Sequence, residues 1–146
     1  MLINKKLAFS IPLLIIGLTM ILLGARWLFV DEPWMLDRVA NEERLEMTFD
    51  ELFKVEKNET LPDYLRQIYR FFGFWVAIIG LFITSFSTPS LTRNSSIRFR
   101  LLLNIGIMML VGITLGYSLI PSSPFIYLIW IMFFLYLISL YAHIKK

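Results

Sequence analysis

Few side chains in this chain have the type and spacing for chemistry, and most of those crowd into one window. All eleven Asp and Glu residues lie between Asp31 and Asp63. The pairs Asp31/Glu32, Glu42/Glu43 and Asp50/Glu51 are of a kind that acid-base or cation chemistry uses, yet neighbouring residues on a helix diverge, so a solvated face is the expected role. Two arginines bracket the window. Arg26 is followed by Trp27-Leu28-Phe29-Val30 and so sits below the end of an apolar helix, and Arg70 opens the next apolar stretch at the same depth. Two guanidinium groups converging from consecutive helices would grip a phosphate or carboxylate bidentately, or pair with Asp31, Glu32 or Asp37. Trp34 and Tyr69 are expected to wall the space between them. The competing expectation is that each arginine snorkels to lipid phosphate.

Other chemistries lack their residues. The sequence has no cysteine and one histidine, His143, so thiolate metal sites, a bis-histidine haem and a histidine-rich di-iron site cannot be assembled from one chain. Neither metal nor cofactor is expected, and His143 is read as interfacial. No Asp, Glu, Lys or Arg sits near the middle of an apolar stretch, which disfavours a proton- or ion-coupled transporter. Asn104 is the most polar group within the third stretch, suited to an interhelical hydrogen bond.

The elements that position these residues are apolar helices. Hydrophobic residues make up 58% of the 146 and charged ones 17%, and the mean hydropathy is +0.69. A soluble core of this size cannot hide that much apolar surface, so lipid must cover it. Uncharged runs cover 7–25, 71–92, 101–120 and 125–142, each near the length of about 20 residues that a hydrocarbon core requires. With their flanks the spans are set at 7–28, 69–90, 98–120 and 124–143, and the segment between the first two at 31–63. A cleaved secretory signal is disfavoured, because the first run is long and Leu23-Gly24-Ala25 lacks the small residue expected two before a cleavage point.

Charge sets the topology. Lys5 and Lys6, then Arg93, Arg98 and Arg100, then Lys145 and Lys146 fall on one side of a four-span chain, while 31–70 is net −5, with six basic residues against eleven acidic. The expectation is a plasma-membrane protein with both termini cytoplasmic and the acidic segment outside. Trp27, Trp34, Tyr69, Trp75, Tyr117, Tyr127 and Trp130 then fall at the outer interface. A pI near 9.3 would point to nucleic acid in a soluble protein. Here the basic residues outside the window flank spans, and no nucleic-acid partner is expected.

The acidic segment has helical periodicity. Pro33 suits a first turn, with Met35, Leu36, Val39 and Ala40 on one face. Thr48-Phe49-Asp50-Glu51 has capping-box spacing. Thr60-Leu61-Pro62-Asp63 starts a third helix expected to run through Tyr69 straight into the second span. These short amphipathic helices would cap the bundle or lie on the outer leaflet; the sharper alternative is a lid over an outward cavity. Within the spans, Gly17 and Gly24, Gly73 and Gly80, and Gly112 and Gly116 each share a helix face and are expected to pack helices closely. A homodimer through Gly112 and Gly116 is the minority alternative.

The stretch 65–75, running on to Gly80-Leu81-Phe82, resembles the Arg/Tyr-Gly opening of the second helix in small DoxX-like four-helix membrane proteins. The layout is also similar to theirs: one span, an outer segment, three closely spaced spans. The chain departs from them in having Gly116-Tyr117 rather than Gly-Arg near the end of helix three and no acid after Asp63. The resemblance implies an all-α four-helix fold and little about chemistry. The functional expectation is a non-catalytic integral membrane protein that binds membrane lipids, a lipid-like molecule or a membrane partner through its outer segment. The alternatives are a membrane subunit of a redox or lipid-modifying enzyme complex and a small uncoupled permease.

Overall fold

The computed structural model describes residues 5–145; Lys146 of the flanking basic set lies outside the described residues, as do the side chains of Lys5 and Lys6. Among the described residues all regular structure is helical. The long helices are α1 (Lys5–Phe29), α4 (Leu61–Phe86), α5 (Ser95–Leu119) and α6 (Phe125–Ile144), and four helices are long and apolar enough to cross a membrane. Between α1 and α4 the chain forms a 3-10 turn over Pro33–Asp37, then α2 (Arg38–Leu45) and α3 (Phe49–Lys54).

Local signals fix most boundaries. The α3 start is a capping box in which Thr48 Oγ1 accepts from the Glu51 amide at 3.2 Å while Glu51 accepts from the Thr48 amide at 2.9 Å. Pro62 stands in the first turn of α4, where a missing N–H costs nothing, and that helix runs unbroken from the acidic segment into the apolar stretch as expected. Asn94 caps α5 through Oδ1 to the Ser96 amide at 2.8 Å. The second apolar stretch, expected to span 69–90, is not helical to its end. Its helix ends at Phe86, because Pro89 disfavours the helical conformation at Thr88, and a short 3-10 turn over Leu91–Arg93 follows.

Helix α1 is the central element: 44% of its apolar window is buried, against 17% for each of the other three. Its residues Phe9, Leu13, Ile16 and Met20 recur at alternating intervals of four and three, and they form one buried cluster with Ile83, Leu102, Ile105 and Met109. The glycines seat α1 on α4. A Cβ on Gly24 would stand 2.5 Å from the Gly73 carbonyl oxygen and one on Gly80 would stand 2.6 Å from that of Gly17, so the backbones approach too closely for a methyl group to fit between them. Gly112 and Gly116 face Ile129 and Ile126 of α6. That contact lies within the chain, and α6 occupies the face on which a homodimer was the alternative.

Polar groups tie the other end together. Pro12 leaves the Ala8 carbonyl without its helical donor, and beside it Ser139 Oγ donates to the Phe9 carbonyl at 2.9 Å. Ser10 and Thr92 share a buried hydroxyl bond of 2.8 Å. Arg98 donates to the carbonyls of Thr92 and Arg93 at 2.7 and 3.2 Å and to His143 Nδ1 at 3.3 Å, which joins the α4–α5 connection to the end of α6. His143 is thus held in a contact with α5.

Candidate functional site

The polar groups that lie buried among apolar neighbours at the acidic end gather where the acidic segment meets the long helices. The 3-10 turn packs on α1 and α4. Its three-residue period shifts the buried stripe away from the expected face: Pro33, Trp34, Asp37 and Ala40 are buried, whereas Met35 and Val39 are exposed. The Trp34 ring lies 5.5 Å from Phe53 and 6.2 Å from Phe49, and Asn41 donates to its carbonyl at 2.9 Å. Trp34 is therefore the core of the acidic segment. It is not an interfacial belt residue, and neither is Trp27, which is 5% exposed with its ring 5.0 Å from both Phe72 and Phe125. Trp75, Tyr117 and Tyr127 are exposed, as a belt requires.

Two buried atoms at this junction have no hydrogen-bond partner, Trp27 Nε1 and Asp37 Oδ1. A buried polar atom left unpaired costs about 1–3 kcal/mol, so such atoms mark places where something other than packing has been kept. Asp37 is 7% exposed. Burial pushes its carboxyl above the ordinary value of 3.8, and the Ser123 hydroxyl, from the α5–α6 turn, opposes that shift. The Asn41 side chain is within hydrogen-bonding reach of Tyr69. On the sequence alone Asp37 stands only as a partner for an arginine. The missed signal is that it shares helical spacing with Pro33, Trp34, Ala40 and Asn41, an acid set on an apolar stripe.

The two arginines do not converge. Arg26 follows Gly24 by two residues, about 200° around the helix, so with Gly24 clasping α4 the guanidinium turns towards α6. There it lines a cavity of about 310 Å³ with Leu23, Leu36, Pro124, Phe125 and Leu128. Tyr69 lines a separate cavity of about 320 Å³ with Asn41, Phe49, Leu52 and Leu65. Arg70 is exposed. Nor do the arginines pair with Asp31, Glu32 or Asp37: the ion pairs among the described residues are Arg38–Glu42 at 2.9 Å and Arg66–Asp63 at 2.6 Å. Arg66 also donates to the Asp31 carbonyl at 2.9 Å, pinning the chain after α1 to α4. What the junction offers a ligand is one guanidinium at an apolar cavity, roofed by Leu36 and walled by α6. That suits an anionic head attached to an apolar body. No group of three or more metal-ligating side chains occurs among the described residues. Comparison with known proteins finds no matching family model, no matching curated protein and no matching solved structure.

Proposed function

We propose that this chain is a non-catalytic four-helix bundle of the plasma membrane, with both termini cytoplasmic, that holds an anionic lipid-like molecule beneath its outward acidic segment. The reading rests on one observation: the Arg26 cavity, in which a single cation faces Leu23, Leu36, Phe125 and Leu128. The layout fits the DoxX-like resemblance, which belongs to the same proposal. The short helices α2 and α3 act as a cap in this reading, their charged faces to water and Trp34, Phe49 and Phe53 inward.

Mass spectrometry of lipids that copurify with the protein tests it. Arg26→Ala is expected to remove the bound anionic amphiphile, and Arg26→Lys to reduce it, because an ammonium cannot reproduce a planar two-point contact. Lys54→Ala, on the exposed end of α3, leaves it unchanged. Wild-type lipid levels in the lysine and alanine variants alike would mean that Arg26 only snorkels, and that the cavity is a packing gap.

A further inference from the structure

The opposite, basic end carries a second cavity of different build. Helices α4 and α5 are consecutive but make few direct contacts, and between them runs a groove of about 450 Å³, within the range of about 300–1,000 Å³ typical of small-molecule sites. Its floor is the protein core, Ile83 and Ile105, and its walls are Ile79, Phe82, Leu101 and Met108. Two polar residues enter it, Arg100 and Asn104.

These two stand one turn apart on α5, about 6 Å along the axis. Arg100 is nearer the helix N-terminus, whose backbone dipole adds positive potential. The chain has no acid to neutralise this end: every Asp and Glu lies between Asp31 and Asp63, and both ion pairs of the described residues are in that region or at the start of α4. Arg98 is engaged with Thr92, Arg93 and His143, whereas Arg100 turns into the groove. Arg100 is exposed and no Asp or Glu side chain lies at this end to pair with it, so an anion from outside the chain can. An apolar slot with a cation at its mouth and an amide one turn deeper matches a glycerophospholipid read from the headgroup inwards: phosphate, ester carbonyl, acyl chain.

We infer that the α4–α5 groove is a binding site for one anionic phospholipid, its phosphate on Arg100, its ester carbonyl on the Asn104 amide and an acyl chain along Ile79, Phe82 and Met108. The bidentate guanidinium contact supplies headgroup selectivity and the groove supplies affinity for the chain. The site is independent of the Arg26 cavity, which lies at the other end of the helices.

Native mass spectrometry of the purified full chain carrying Arg26→Ala, which removes the outer cation, titrated with phosphatidylglycerol or phosphatidylcholine of equal chain length, tests it. This chain is expected to hold phosphatidylglycerol roughly tenfold more tightly, the scale of one charge-assisted contact. Adding Arg100→Gln removes that preference, adding Ile79→Trp, which fills the groove from its rim, weakens both lipids, and adding Arg93→Gln changes neither. Four results overturn the proposal: equal affinity of the Arg26→Ala chain for the two lipids, a preference that survives the added Arg100→Gln, an equal loss on adding Arg93→Gln, or a dimer whose formation Ile79→Trp abolishes, since protein then covers the groove. A preference present in the wild type but absent from the Arg26→Ala chain overturns the groove site alone and leaves the outer reading standing.

Discussion

Asp37 is the residue at which burial and charge conflict most openly. Desolvation favours its protonated form in the folded chain, and Oδ1 has no donor. Between its ordinary value of 3.8 and its raised value, the folded chain keeps a proton that the unfolded chain has released. Stability from this group is therefore full below the ordinary value and declines as pH rises through the raised one. Glu42 and Glu51 act oppositely: the hydrogen bond from Arg38 holds the first low, and the Thr48 amide holds the second low. A wild-type pH profile mixes these slopes, but the difference between wild type and Asp37→Asn isolates one. In detergent, thermal midpoints measured from about pH 4 to about pH 7 are expected to favour Asp37→Asn increasingly as pH rises. A constant offset between the two profiles would show that Asp37 does not change protonation on folding in that range.

At the scale of elements, the α1–α4 clasp and the phase of the acidic segment show what a sequence carries. The clasp was legible because Gly17/Gly24 and Gly73/Gly80 have spacings that put each pair on one helix face, and close approach then needs no further information. The capping box at Thr48 and the continuity of α4 were legible for the same local reason. The phase of Pro33–Asp37 was not, because a 3-10 turn and a helix differ by a fraction of a residue per turn, and tertiary contact with α1 and α4 chose between them. Convergence of Arg26 and Arg70 failed likewise: equal depth is readable from sequence, but rotation about the axis is set by which face the glycines use. Gly80→Leu would drive a side chain into the Gly17 carbonyl and the Met20 Cβ, 2.6 and 2.8 Å from where its own Cβ would sit. It is expected to cost about 1–3 kcal/mol or more in detergent, while Leu81→Phe, one residue on at an exposed position, should be near neutral. Equal losses in a thermal-stability assay would mean that the α1–α4 contact is not the close-packed seam.

For the whole molecule, charge separation along the helix axis joins the two cavities into one picture. Arg93, Arg98, Arg100 and Lys145 cluster at one end and the net-negative 31–70 segment at the other, so in the proposed orientation, with both termini cytoplasmic, the Arg100 groove lies in the cytoplasmic leaflet. The negative surface potential of a cytoplasmic leaflet attracts basic groups such as these. The Arg26 cavity, under the acidic segment, then samples the outer leaflet. The assignment is open to direct test because the sequence has no cysteine, so a single introduced thiol is the sole target for a membrane-impermeant maleimide. Lys57 and Ser96 are exposed and lie at opposite ends. In intact cells Lys57→Cys is expected to label and Ser96→Cys to stay protected until the membrane is permeabilised. The reverse pattern would keep four crossings but exchange the leaflets of the two cavities, and equal labelling of both positions before permeabilisation would mean that an even number of crossings separates Lys57 from Ser96 and that the four-span topology is wrong.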